Sequence, residues 1–420
     1  MPGTPDRSTR RQFFFQAGAA GAGVMAAGSA SKAVPPSERV RIGMIGVGNQ
    51  GTNNLKAFLK DVVAVSDVDS ARLAKAKETV EARNGKSCVA AGDFRRLLDR
   101  KDIDAVVVTV PDHWHALPTI LACQAGKDVY CEKPLSLTVA EWQAMVAAAR
   151  KYNRVVQTGS QQRSDDRFSL ACELVRSGAL GPLKEIKVGL PGVNFKGPAV
   201  PDSAPPPELD YDFWLGPAPK KPYNTLHVHY NFRFFWDYSG GQMTNFGAHH
   251  LDIVQWALGK DDSGPVAADG TGRYHARGWY EVPETFDVVY TYDGGPPVRC
   301  GQAYPDAVTF VGEKGSIYVN RKKIESDPAE LLKTKPSEHL YVSKNHAANW
   351  LECIKTRKAP ICDVAIGHRS ATVCHLGNIA VRLGRKVAWD PAREQVVGDS
   401  EAAAMMARPY RAPWALPDVS

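Results

Sequence analysis

"VRIGMIGVGNQG", residues 40 to 51, is the stretch that decides the fold. Val40, Ile42, Met44 and Ile45 make a short apolar run of the kind that is buried in a parallel sheet. Gly46, Gly48 and Gly51 then give the spacing G-x-G-x-x-G. "TNNLKAFL" (52–59) reads as a helix, and "VVAVSDVD" (62–69) as a second strand ending in Asp67 and Asp69. Strand, glycine turn, helix, strand and acid in this order form a dinucleotide-binding unit. The glycine spacing alone would be a weak signal; here each flanking element is present.

Each residue type has a physical reason. Gly46 permits a tight turn, Gly48 lets the backbone approach a pyrophosphate, and Gly51 lets the helix lie close to the sheet. The unpaired N–H groups at the helix start suit phosphate oxygens. Asp67 would accept hydrogen bonds from ribose hydroxyls and repel a 2′-phosphate, so NAD is expected in preference to NADP.

Further along, the α/β alternation continues. "DIDAVVVTVP" (102–111) is a buried strand and "HALPTILACQAG" (115–126) a helix closed by Gly126. "KDVYCEKP" (127–134) is a strand. "SLTVAEWQAMVAAARKYN" (136–153) is a helix capped at Ser136 or Thr138, with Glu141 in capping-box position. "RVVQTGS" (154–160) closes the unit. Ligands of such sheets sit beyond the carboxyl ends of the strands, where Asp112, His113, His115, Lys133 and Gln161 fall. After residue 180, "KEIKVGL", "TFDVVYTYDG" and "GSIYVN" alternate apolar and polar residues, as half-buried antiparallel strands do. The proline-rich stretch 197–222 reads as an extended surface loop with turns, partly packed through Phe213 and Trp214.

The bulk properties narrow the class. The chain has 420 residues, 44% hydrophobic and 23% charged, with a net charge of +7 and eight cysteines. This is ordinary for a globular protein of two or three domains. No long Lys/Arg run points to nucleic acid. No C-x-x-C pair occurs, and the cysteines read as buried reduced thiols. At the N-terminus "STRRQFFF" (8–15) precedes "QAGAAGAGVMAAGSASKA" (16–33), which is weakly apolar and free of acid. This resembles a twin-arginine export signal, so the mature protein is expected in the periplasm or outside the cell, with no stable membrane span after processing. The expected division is a signal over 1–36, a Rossmann domain over 37–160, a substrate-binding α/β domain over 161–400 and a C-terminal tail over 401–420.

The glycine motif, Asp67, "CEKPLSLT" (131–138), "QTGSQQRS" (157–164), "NFRFFWDYSGG" (231–241), "TNFGAHHLDI" (244–253) and "GHRSATVCHLGNIAVRLGRKVAWDP" (367–391) together resemble the Gfo/Idh/MocA oxidoreductases. The resemblance covers almost all of the chain after the signal. It implies an N-terminal Rossmann domain followed by an α/β domain with a large open, predominantly antiparallel sheet, whose C-terminal helices pack back toward the Rossmann domain. It also implies a homo-oligomer, a dimer or tetramer.

By the same resemblance Lys133 meets the substrate hydroxyl beside the nicotinamide. Desolvation next to a positive ring would lower its pKa. The family's second motif, D-x-G-x-H-x-x-D, aligns with Asn245, Gly247, His249 and Asp252. His249 is the expected general base, because an ordinary imidazole titrates near the working pH. Asn245 replaces the motif's first aspartate. It is expected to orient the His249 ring, and Thr244 or Asn245 also stands where a helix N-cap belongs. The expected cofactor contacts are Gly46, Val47, Gly48, Asn49, Gln50, Gly51, Asp67, Arg72, Pro111, Asp112, His115, Glu132, Lys133 and Gln161. Expected substrate contacts are Arg163, Tyr230, Arg233, Asp237, Tyr238, His250 and Asp252. No metal is expected, since His249 and His250 diverge by about 100° on a helix; only His227 and His229 could extend a ligand set.

The resulting expectation is an NAD-dependent oxidoreductase acting on a CH–OH group of a sugar or sugar derivative. Free NAD is scarce outside the cytoplasm, so the cofactor is expected to stay tightly bound. The alternative is a redox-neutral, NAD-dependent glycoside hydrolase resembling the α-N-acetylgalactosaminidases of the same family. Third comes a sugar-binding protein without activity.

Overall fold

The computed structural model describes residues 39–195 and 197–419. The twin-arginine segment lies outside the described residues. Six parallel strands form the first sheet: β1 (Ile42–Ile45), β2 (Val62–Ser66), β3 (Val89–Ala91), β4 (Ala105–Val108), β5 (Asp128–Cys131) and β6 (Val156–Thr158). Their order is β3-β2-β1-β4-β5-β6. Strand order reverses between β1 and β4, which opens a crevice at their carboxyl ends, directly over the glycine turn. Of the apolar run that opened the sequence reading, Ile42, Met44 and Ile45 are buried in β1 and Val40 is buried just before it. The helix Val139–Lys151 starts with a capping box between Thr138 and Glu141.

The second sheet has nine strands: β7 (Leu183–Gly189), β8 (Ala267–Tyr274), β9 (Pro283–Thr291), β10 (Val298–Gly301), β11 (Ala307–Gly312), β12 (Gly315–Val319), β13 (Ile324–Asp327), β14 (Val387–Asp390) and β15 (Gln395–Val396). The order is β13-β12-β11-β7-β10-β9-β8-β14-β15. Neighbours run antiparallel except β7 and β10, which run parallel.

One helix, Val364–Leu383, lies between the two sheets, and glycine makes this possible. A Cβ on Gly367 would stand 2.0 Å from Thr158 Oγ1 at the end of β6, and one on Gly377 would stand 2.1 Å from Tyr290 Oη on β9. A second helix, His346–Thr356, sends Trp350 into the Rossmann core, edge-on to Phe58 and Tyr130 with ring centroids 5.4 and 5.7 Å away. The last segment is no free tail. Tyr410 Oη donates to Glu141 Oε1 at 2.7 Å, Arg411 pairs with Asp212 at 2.8 Å, and Trp414 packs against Trp114 with centroids 4.8 Å apart. Part of the proline-rich stretch packs too: Tyr211–Leu215 is a short helix and Trp214 is buried.

Arg163 and Asp252, expected at the substrate, form a joint between domains instead. Arg163 follows β6, and Asp252 sits on the helix Gly247–Ala257 of the second domain. Their side chains are 1% and 0% exposed. The guanidinium donates to both carboxylate oxygens of Asp252 at 2.8–3.1 Å and to Asp261 at 2.7 and 2.9 Å, and Ser370 Oγ adds a bond to Asp252 at 2.6 Å. A buried guanidinium is tolerable only with its donors paired, and this pairing leaves neither residue free for a ligand. Arg163→Ala strands a carboxylate in the interior. It should lower the unfolding free energy by about 3–5 kcal/mol, read as a fall in the urea midpoint; an unchanged midpoint would contradict a structural role.

Candidate active site

The glycine turn is built as the sequence implies. Gly46 has φ +84°, and its Cβ would lie 2.4 Å from Thr109 O; a Cβ on Gly51 would lie 2.3 Å from Gly46 O. The helix Asn49–Phe58 begins without a side-chain cap or an acidic residue in its first turn, so its leading N–H groups are left for an external acceptor. Asp67 Oδ2 accepts from Val47 N at 2.8 Å and Oδ1 from Asp69 N at 3.0 Å. The carboxylate thus braces the loop and still lines the cleft. Burial raises its pKa above the ordinary value, against the pull of the two amides. Arg72 lies over Gly48 and pairs with Asp69 at 3.5 Å.

The second domain covers this end of the cleft. Ser70 N donates to Glu208 O at 2.8 Å, Asp210 N donates to Val68 O at 3.0 Å, and His229 Nε2 lies 3.1 Å from Asp69 Oδ2. The cleft holds about 620 Å³ and runs from the glycine turn to Lys133 and His249. Of the expected cofactor residues, all but Val47 line it. Val47 is buried, and its amide is taken by Asp67. Glu132 gathers the wall: its Oε1 accepts from Gln161 at 2.9 Å, Asn54 at 3.0 Å and Gln50 at 3.3 Å. Asp112 Oδ2 accepts from Ser239 Oγ at 2.5 Å, and His115 is fixed between the carbonyls of Pro134 and Val110 at 2.6 and 2.9 Å. These groups fit a dinucleotide: steric room above the turn, free amides for phosphate and a carboxylate at the end of β2.

At the catalytic end the expectation for Asn245 is corrected. Lys133 Nζ donates to Asn245 O at 2.9 Å and to Asn245 Oδ1 at 3.0 Å, while Asn245 Nδ2 donates to Gln242 Oε1 at 3.0 Å. Asn245 therefore holds the lysine, not the histidine. It is not an N-cap either. It ends the short helix Gly241–Asn245, and the next helix starts after Phe246 with no side-chain cap. Burial pushes Lys133 down to about 8, helped by the nearby cations Arg233 and Arg321 and opposed by Glu132 and Asp112.

His249 reaches the cleft, and its Nδ1 is buried without a partner. Burial, with Lys133 and Arg321 nearby, holds its pKa well below the ordinary imidazole value. The expectation that it titrates near the working pH is thereby corrected: it is a neutral imidazole. The side chain that changes charge near neutrality is Lys133.

Among the remaining substrate candidates, Tyr230 and Arg233 line the cleft. Arg233 is held by Tyr230 O at 2.6 Å and lies over the Tyr230 ring at 3.9 Å. His250, Asp237 and Tyr238 do not line it. His250 is buried beside Asp306 at 3.2 Å, with its pKa driven down to about 3 by burial and Arg321. Asp237 pairs with Lys221 at 2.5 Å. Tyr238 is wholly buried against the rings of His113 and Trp214. Arg321 is the cleft residue that the sequence reading missed. It sits in the turn between β12 and β13, over Phe246 at 5.2 Å, with its Nε 3.1 Å from the Gln162 amide oxygen. In "NRKK" it looks like any solvated turn cation, and only the sheet brings it to His249.

Among the described residues no three His, Cys, Asp or Glu side chains converge as metal ligands, and all eight cysteines are buried and unpaired. No described helix is long and apolar enough to cross a membrane. A lysine titrating near pH 8 beside a neutral imidazole can take and return a hydroxyl proton.

Comparison with known proteins agrees with this geometry. Residues 40–160 match the Gfo/Idh/MocA family model described as an oxidoreductase family, NAD-binding Rossmann fold. Residues 171–416 match its C-terminal alpha/beta domain. Myo-inositol 2-dehydrogenase of Thermotoga maritima is 27% identical, over 82% of this chain and 94% of its own length. The α-N-acetylgalactosaminidase of Shewanella oneidensis is 31% identical, but over 41% of this chain and 44% of its own. The WlbA dehydrogenase of Chromobacterium violaceum, solved with NADH and UDP-GlcNAcA, shares the fold with a TM-score of 0.62 at 21% identity. That alignment covers 86% of this chain and 99% of WlbA.

Because the amide of Asn245 carries no charge, Asn245→Asp would put a carboxylate about 3 Å from the Lys133 ammonium and favour the charged lysine. The Lys133 midpoint should rise by at least about one pH unit, read from the Cε carbon shift in lysine-labelled protein. A midpoint that stays near 8 would show that the two side chains do not interact in solution.

Proposed function

The chain belongs to the Gfo/Idh/MocA oxidoreductase family, and on that premise we propose that it oxidises or reduces a carbinol carbon of a sugar or sugar derivative with NAD. The observation that carries this reading is Lys133, tuned to about 8 and held by Asn245, opposite a neutral His249 at the end of the dinucleotide groove. When bound there, the nicotinamide supplies the hydride acceptor or donor. The chain's own work is proton handling and positioning. As a neutral amine, Lys133 takes the hydroxyl proton while the carbinol is oxidised, and returns it in the reverse direction. Asn245 fixes the Nζ position. His249, kept neutral, can accept a hydrogen bond from the same or a neighbouring hydroxyl.

Two features support tight binding of NAD. Asp67 disfavours a 2′-phosphate. The contacts of Glu208, Asp210 and His229 with residues 68–70 cover the adenosine end. Retention also suits an exported enzyme, which we infer from the Arg10-Arg11 signal, since lost cofactor would not be replaced. A homo-oligomer is part of the same proposal. A redox-neutral glycoside hydrolase is the second reading, resting on the partial match to the α-N-acetylgalactosaminidase.

The test is to denature purified protein, identify the released nucleotide, and screen free sugars and glycosides on intact protein for reduction of bound cofactor and for aglycone release. Bound NAD reduced by a free sugar is the expected result; aglycone release without net reduction would favour the second reading. Lys133→Met should keep its nucleotide yet lower the reduction rate about 100- to 10,000-fold. Near-normal rates would remove the lysine from the mechanism.

A further inference from the structure

Four arginines line the cleft, and they fall into two classes. Arg72 and Arg167 each have a carboxylate, Asp69 at 3.5 Å and Asp165 at 2.5 Å. Arg233 and Arg321 have none: among the described residues, no Asp or Glu oxygen lies within 4.0 Å of either guanidinium. Both are nevertheless fixed in place. Arg233 is tied to the Tyr230 carbonyl and stacked on the Tyr230 ring, and Arg321 lies over Phe246 with Nε on the Gln162 amide. The two come from different parts of the second domain, the Asn231–Phe234 turn and the β12–β13 turn, and both act on Lys133 as neighbouring cations.

A neutral polyol site needs carboxylate and carbonyl acceptors for its hydroxyls. Here the nearby carboxylates are already engaged, Asp112 by Ser239 and Glu132 by Gln50, Asn54 and Gln161, whereas Arg233, apart from its bond to the Tyr230 carbonyl, and Arg321 keep guanidinium donors without an acid partner. Partial removal of such cations from water is unfavourable unless an anion completes them. The phosphates of the dinucleotide belong to the opposite end of the groove, over the glycine turn and Arg72. We infer that the substrate is an anionic sugar, whose carboxylate or phosphate is bound by Arg233 and Arg321 beside the carbinol that faces Lys133. This rests on the oxidoreductase reading for the reaction, but not for the binding of the anion. The guanidinium fork matches a planar carboxylate or a phosphate edge in the same way, so the two sources share one chemistry.

The experiment uses intact, cofactor-loaded protein and matched pairs. Hexuronates of gluco, galacto and manno configuration are set against their methyl esters, and the corresponding hexose 6-phosphates against the free hexoses. Calorimetry measures binding and the reduced-nicotinamide band measures turnover. At least one anionic member should bind about 10- to 100-fold tighter than its neutral partner, the range for losing a hydrogen-bonded charged group. Arg321→Gln and Arg233→Gln should each erase much of that difference, lowering affinity for the anionic member more than for its neutral partner, while the bound nucleotide is retained. The uronate and phosphate arms tell the two sources apart. Neutral members that bind as well as their anionic partners would overturn the inference, as would variants that keep the preference or a panel in which no anion binds. Turnover of neutral sugars alone leaves the oxidoreductase reading intact and removes this one. Arginine-dependent anion binding without turnover of any sugar does the reverse.

Discussion

The helix Val364–Leu383 is the constraint on which the site depends. It must lie against β6 at one end and β9 at the other, and neither approach leaves room for a side chain at Gly367 or Gly377. Ten residues of helix advance about 15 Å and turn to a different face, so one rod serves both sheets. From it, Ser370 bonds Asp252 and Asn378 Nδ2 donates to Gly240 O at 2.9 Å. Gly240 N in turn donates to Thr244 Oγ1 at 3.1 Å, one residue before Asn245. The position of Asn245, and through it Lys133 Nζ, is therefore set by a helix more than a hundred residues later. The cleft between the domains is held by packing, and the Arg163–Asp252 joint reinforces it at the base.

The charge at the catalytic end follows from the same arrangement. A buried ammonium is costly, and the acceptors offered to Lys133 decide how much of that cost is recovered. Asn245 offers two neutral oxygens, which orient Nζ without compensating its charge. With Arg233 and Arg321 also pressing on it, the lysine loses its proton close to neutrality. Burial, with Lys133 and Arg321 nearby, keeps His249 neutral. The two residues thus divide a role that the sequence pattern assigned to the histidine alone: one titrates, the other is a fixed polar group.

What could be read from the sequence was what is local in the chain. The glycine turn, Asp67 and the Rossmann strands declare themselves within short windows, because turn geometry and burial impose residue types on neighbouring positions. Lys133 and His249 were legible through family motifs. The destinations of side chains were not. Arg163, Asp252, His250 and Tyr238 are polar residues in motif-rich segments and looked like ligand contacts, yet each is buried and satisfied inside the protein or pressed among rings. Arg321 failed in the opposite direction. Its segment has the composition of a solvated hairpin turn, and its place in the cleft comes from β11, β12 and β13 extending the sheet from β7. Non-local strand order leaves no mark within a short window of sequence.

The departure from the family motif and the two unpaired arginines are best understood together. An aspartate at 245 would place a full negative charge within about 3 Å of Lys133 Nζ, in a cleft whose walls weaken solvent screening. It would pair with the lysine, lift its pKa, and repel any anion approaching the same end. An amide there does none of this. It keeps the lysine able to accept a proton and adds no further negative charge to that of Glu132 and Asp112, which Arg233 and Arg321 oppose. On the proposed reading, an amide in place of the carboxylate bears on proton handling and on the charge of the substrate at once. The proposed chemistry does not need an acid at 245, because burial already brings the Lys133 pKa down to about 8 while Asn245 holds Nζ in place.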